Sequence, residues 1–108
     1  MTLIQQAVAI EPDNGAFRDS LGWAFHKLGR DSEAVTELRR AVFFLDKETD
    51  RELEDRQDDA VVYDHLADVL LNLNHPDEAV TFWQRALKLD PSNQSIAAKL
   101  AARPPPQK

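Results

Sequence analysis

The chain repeats part of its own sequence. GAFRDSLGWAFHKLGRDSEAVTELRRAVFFLDK, from Gly15, aligns without a gap on AVVYDHLADVLLNLNHPDEAVTFWQRALKLDPSN, from Ala60, at a constant offset of 45. Leu21 falls on Leu66, Phe25 on Leu70, Leu28 on Leu73, Glu33-Ala34-Val35 on Glu78-Ala79-Val80, and Arg40-Ala41 on Arg85-Ala86. A partial copy stands first: AVAIEPDN from Ala7 matches AVFFLDK from Ala41 at an offset of 34, and ALKLDPSN from Ala86 at 79. The offsets share a unit of 34 residues, with 11 more inserted between the two full copies. Repetition at this period points to a stacked array in which each unit buries its apolar face mainly against its neighbours.

Inside each unit the apolar residues run at helical spacing twice, with a break between. Phe17, Leu21, Phe25 and Leu28 form one stripe, and Ala34, Val35, Leu38, Ala41, Val42 and Leu45 the next. The unit is therefore a helical hairpin, and the pattern predicts helices over 2–10, 16–28, 32–45, 60–73, 76–89 and 95–102. Residues 20–34 carry two glycines although glycine weakens a helix by roughly 1 kcal/mol relative to alanine. Gly22, matched by the small Ala67, belongs where the two helices cross closely. Gly29, matched by Asn74, belongs at a left-handed helix cap. Asp31 or Ser32 can cap the second helix of the first hairpin, and Pro76 suits the first turn of its counterpart. Pro12 and Pro91 stand just beyond the ends of second helices.

These residues resemble the tetratricopeptide repeat, whose consensus runs W-x2-L-G-x2-Y, then A-x3-F, A and P. The matching residues are Leu21-Gly22, Phe25, Ala34, Leu38 and Ala41 in the first unit. In the second they are Tyr63, Leu66-Ala67, Leu70, Ala79, Trp83, Ala86 and Pro91. Arg18 at the tryptophan position, Ala67 at the glycine position and Asp46 at the proline position depart from it. The resemblance covers about residues 1 to 46 and 60 to 103. It implies an all-α fold: a right-handed superhelical array of antiparallel helix hairpins, an α-solenoid. The whole of 1–103 is then one domain. It comprises the second helix of a partial repeat (1–14), a full repeat (15–46), an acidic insertion (47–59), a second full repeat (60–93) and a capping helix (94–103). A disordered proline-rich tail (104–108) follows.

Composition narrows the function. A formal net charge of −6 argues against nucleic acid and anionic membrane as partners, since both are polyanions held through lysine and arginine. Without cysteine there are no disulfides, thiolate metal sites or cysteine nucleophiles. No apolar run approaches the ~20 residues that cross a bilayer, and no signal peptide is visible in MTLIQQAVAIEPD, which leaves the compartment open. His26 and His65 fall on different hairpins and His75 in a turn, so no metal-ligand spacing exists. Asp58-Asp59 and Asp77-Glu78 read as surface charge and first-turn dipole complements, and Ser20 and Ser32 lack an ordered base. The expectation is a binding protein, not an enzyme, with no cofactor.

In the family it resembles, first helices line a concave groove that holds a peptide or a partner helix. Carried over residue by residue, the groove positions are Asp19, Ser20, Trp23, His26 and Lys27, then Asp64, His65, Asp68, Leu71 and Asn72. Trp83 falls on a core position, whereas Trp23 does not and becomes a half-exposed aromatic anchor. Asp19, Trp23 and Asp68 occupy or adjoin the positions where some family members clamp acidic chaperone tails, which disfavours that ligand. A basic or aromatic-basic protein segment is the physical complement.

Two features stand outside the repeats. DKETDRELEDRQDD, from Asp46 to Asp59, carries eight acidic and three basic residues. Its Thr49-x-x-Glu52 capping box and Glu52–Arg56 pair predict a charged extension of the following helix, with Phe43 and Phe44 packing on Leu53. The first helix has no hairpin partner before it and leaves Leu3, Ile4 and Val8 partly bare. That predicts a fragment of a longer array, or a homo-oligomer built through the terminal helices; an accessory domain of a larger enzyme is the other alternative.

Overall fold

The computed structural model describes residues 2–47 and 59–102. They form six helices: α1 (Thr2–Ile10), α2 (Gly15–Lys27), α3 (Asp31–Asp46), α4 (Asp59–Asn72), α5 (Pro76–Leu89) and α6 (Gln94–Ala101). No strand occurs among the described residues, and the all-α hairpin reading holds. The Thr49–Glu52 capping box, the Glu52–Arg56 pair, the Leu53 contact and the tail 104–108 lie outside the described residues. Helices α1 to α3 make one compact unit and α4 to α6 a second.

In the first unit, α2 and α3 pack antiparallel. A Cβ placed at Gly15 would lie 3.0 Å from Leu45 Cγ, and one at Gly22 would lie 2.7 Å from Leu38 Cγ and 3.2 Å from the Ala34 carbonyl. Gly22 is thus the close crossing that the repeat pattern predicts. Leu21, Phe25, Ala34, Leu38, Ala41, Val42 and Leu45 are buried. Asn14 starts α2 by accepting the Phe17 N–H at 3.0 Å.

The turn after α2 is a Schellman motif. The Arg30 N–H reaches the Phe25 carbonyl and the Gly29 N–H the His26 carbonyl, with Gly29 at φ 77°. The second unit repeats it with Asn74 at φ 69°, bonded to Leu71, and His75, bonded to Leu70. The caps predicted at Asp31 or Ser32 are corrected here. The motif places Arg30 at the N-cap of α3 with no side-chain cap bond, and Asp31 begins the helix with its carboxylate turned to His26 at 2.7 Å.

Two matched positions carry different chemistry in the two hairpins, and a third, arginine in both, changes partner with them. In the first, the departure at Arg18 is compensated by the buried Glu37: Arg18 Nη1 donates to it at 2.7 Å, and Arg40 adds a second bond at 3.0 Å. In the second, the same positions are Tyr63, Phe82 and Arg85. The Tyr63 and Phe82 rings lie 6.2 Å apart, and the Arg85 guanidinium stacks 4.5 Å from Tyr63 while donating to its hydroxyl. Around this layer Leu66, Ala67, Leu70, Ala79, Trp83 and Ala86 are buried. Pro76 takes the first position of α5, as predicted.

Helix α1 packs on α2. Val8 is covered there, at 8% exposure, contrary to the expectation that it stands partly bare; Leu3 at 80% is bare and Ile4 is half-buried. Helix α6, capped by Asn93 through the Ile96 N–H, anchors on the second unit by the buried Ile96.

Candidate functional site

The predicted recognition residues occupy matched stripes on the first helices of the two hairpins. On α2 they are Asp19, Ser20, Trp23, His26 and Lys27, at a spacing that keeps them near one face. Trp23 is half-buried, with the His26 ring at 4.8 Å and the Lys27 ammonium 4.9 Å over its own ring. His26 is also tied to Asp31 on the following helix. The structure therefore brings Trp23, His26 and Lys27 into one cluster, in which the chain's own lysine already covers the aromatic face. Asp19 is half-buried and Ser20 exposed.

On α4 the matched positions are Asp64, His65, Asp68, Leu71 and Asn72, of which Leu71 and Asn72 are exposed. The first and third converge on a residue that sequence reasoning did not single out. Lys99 of α6 donates to Asp64 Oδ1 at 2.8 Å and to Asp68 Oδ2 at 3.2 Å. Asp64 Oδ1 also accepts the Trp83 indole N–H at 2.9 Å. A buried indole wants an acceptor for its N–H, so Asp64 serves the core as well as the surface.

Two carboxylates share one ammonium here. Burial and the neighbouring Asp64 charge hold the Asp68 carboxyl above its ordinary 3.8, against the opposing pull of Lys99 and His65. Burial works against the Lys99 ammonium, but Asp64 and Asp68 outweigh it and raise its pKa above 10.5. Lys99 is well satisfied, whereas burial first and the Asp64 charge second disfavour the ionised form of Asp68.

That asymmetry sets a stability difference. The unfolded chain releases the Asp68 proton near 3.8, the folded chain at higher pH. Between those values the folded state binds more protons, so the contribution of this group falls as pH rises through the window. Asp68→Asn removes the loss, and its melting temperature at pH 7 equals or exceeds that of the wild type. Asp64→Ala, which strips the indole of its acceptor, lowers stability by about 1–3 kcal/mol. Thermal unfolding of both variants from pH 4 to pH 8 reads the contrast.

Residues 60–93, spanning α4 and α5, match the family model described as tetratricopeptide repeat. The match covers 34 of the chain's 108 residues. Tetratricopeptide repeats generally mediate protein–protein interaction and are typically non-catalytic scaffolds. The α4 stripe is the first-helix face of this repeat, and the gap-free alignment from Gly15 places the α2 stripe at the same positions of its sister unit. No curated protein matches the chain significantly. Among the described residues, no group of three or more His, Cys, Asp or Glu is arranged to hold a metal ion, and no helix is long and apolar enough to cross a membrane.

Proposed function

We propose that this protein is an interaction module that takes a basic peptide segment or partner helix on the first-helix face of its repeats, with Asp64 and Asp68 of α4 as the anionic contacts. The observation that supports this reading is the sharing of Lys99 between two carboxylates, which leaves one negative charge beside the exposed Leu71 and Asn72. A lysine or arginine from a partner supplies the second cation and meets an apolar neighbour for its methylene stem. The matched stripe on α2 is a separate face, on which Trp23 is the aromatic contact and a cation competes with Lys27 for the ring.

The test is titration of the chain with lysine-rich, uncharged and glutamate-rich peptides of equal length at low and high salt. The lysine-rich peptide binds and weakens with salt. Asp68→Asn, which leaves the fold intact, lowers that affinity about tenfold, the loss of one partly desolvated charge contact. Lys99→Gln raises it, because the internal competitor is gone. Equal binding of all three peptides, or binding unchanged in both variants, refutes the reading.

A further inference from the structure

Among the described residues, the repeat register places two halves of a hairpin, α1 and α6, with no partner helix at their matched positions. By the 34-residue offset, α1 is a second helix: its Leu3, Ile4 and Ala7 correspond to Glu37, Leu38 and Ala41, and to Phe82, Trp83 and Ala86. All six of those counterparts are at least half-buried, and five of them are fully buried. Helix α6 is a first helix: Gln94, Ala97 and Ala101 correspond to Gly15, Arg18 and Gly22, and to Ala60, Tyr63 and Ala67. Its cap repeats as well, Asn93 standing to Ile96 as Asn14 stands to Phe17. Among the described residues, no second helix covers Gln94, Ala97 and Ala101, which are exposed, and Leu3 at 80% exposure is equally bare.

We infer that α6 of one copy pairs with α1 of a second copy, completing between two chains the hairpin interface that each chain already forms twice. The contacts inside the complete hairpins fix the register. Gly22 meets Leu38, so Ala101 meets the second copy's Ile4; Arg18 meets Glu37 and Tyr63 meets Phe82, so Ala97 meets its Leu3. The chemistry agrees. α1 (TLIQQAVAI) has no charged residue in a chain with 30% of them, and Gln94, Ala97 and Ala101 are uncharged, so the joint desolvates no ion. Small side chains on α6 admit larger ones on α1, as Gly22 admits Leu38. The two faces differ, so the contact is head-to-tail and either grows or closes into a ring. This inference is independent of the peptide reading, since none of its residues touches Asp64 or Asp68 among the described contacts.

Sedimentation equilibrium over a wide concentration range, with circular dichroism as the folding control, tests it. The wild-type mass rises above that of one chain with concentration. Leu3→Glu and Ala101→Glu, both at exposed positions and so compatible with folding, each weaken association by about tenfold or more, because each puts a charge into the joint. Mixed in equal amounts, the two variants form a one-to-one complex, since one keeps a sound α6 and the other a sound α1. A wild type that stays one chain at every concentration, a Leu3→Glu variant that associates as the wild type does, or a mixture that forms no complex overturns the proposal.

Discussion

Trp83→Ala lowers the stability of the α4–α6 unit by about 3–5 kcal/mol, the range for truncating a large buried aromatic. Trp83 is 2% exposed at the core position of the second helix, and its removal opens a cavity between α4 and α5. It also takes from Asp64 the indole donor that fixes its carboxylate. Trp83→Phe separates the two effects. It keeps most of the apolar filling and loses the N–H, so it lowers stability by about 1–2 kcal/mol. Urea unfolding followed by circular dichroism orders the three proteins as wild type, Trp83→Phe, Trp83→Ala. If Trp83→Phe falls as far as the alanine variant, the Asp64 bond matters more than the cavity.

Gly22→Val is the second large effect. A Cβ at this position meets the Leu38 branch at 2.7 Å and the Ala34 carbonyl at 3.2 Å, and Leu38 is completely buried, so it has no open direction in which to yield. Overpacking of this kind lowers stability by about 1–3 kcal/mol. Gly22→Ala decides which physical term dominates, because helix propensity alone favours alanine over glycine by about 1 kcal/mol. The crossing outweighs that gain, and Gly22→Ala is also less stable than the wild type. Gly29 presents the reverse case. Nothing lies within 4 Å of a Cβ there, but its φ of 77° strains an alanine by about 1 kcal/mol, whereas Gly29→Asn is close to neutral, as Asn74 at the matched turn indicates. Midpoints of urea unfolding for the four variants check the set.

The hairpins were legible because their signals are local and repeated. A 3.6-residue stripe, a small residue at the crossing and a left-handed cap each recur at matched positions, and each forms where the pattern puts it. The cap of α3 was misread because a polar residue near a helix start suggests capping, while the Schellman turn decides which residue occupies the N-cap. Asp31 instead bonds His26, five residues back. The Arg18–Glu37 pair had a readable signal: both residues depart from the aromatic pair Tyr63 and Phe82 at the same two repeat positions. The site was legible only as positions. Asp64 and Asp68 follow from the register, but Lys99 lies 35 and 31 residues away on a helix outside the full repeats, and no periodicity connects them. Its effect, two acids sharing one cation, depends on tertiary placement alone.

The most direct measurement is chemical-shift mapping of the isotopically labelled chain as a lysine-rich peptide is added. The account predicts progressive shifts at Asp64, Asp68 and Lys99 and at the Trp83 indole N–H, which shares the Asp64 oxygen with Lys99. No shift at those groups, or shifts confined to α1 and the outer face of α6, would contradict a cation-binding face on α4.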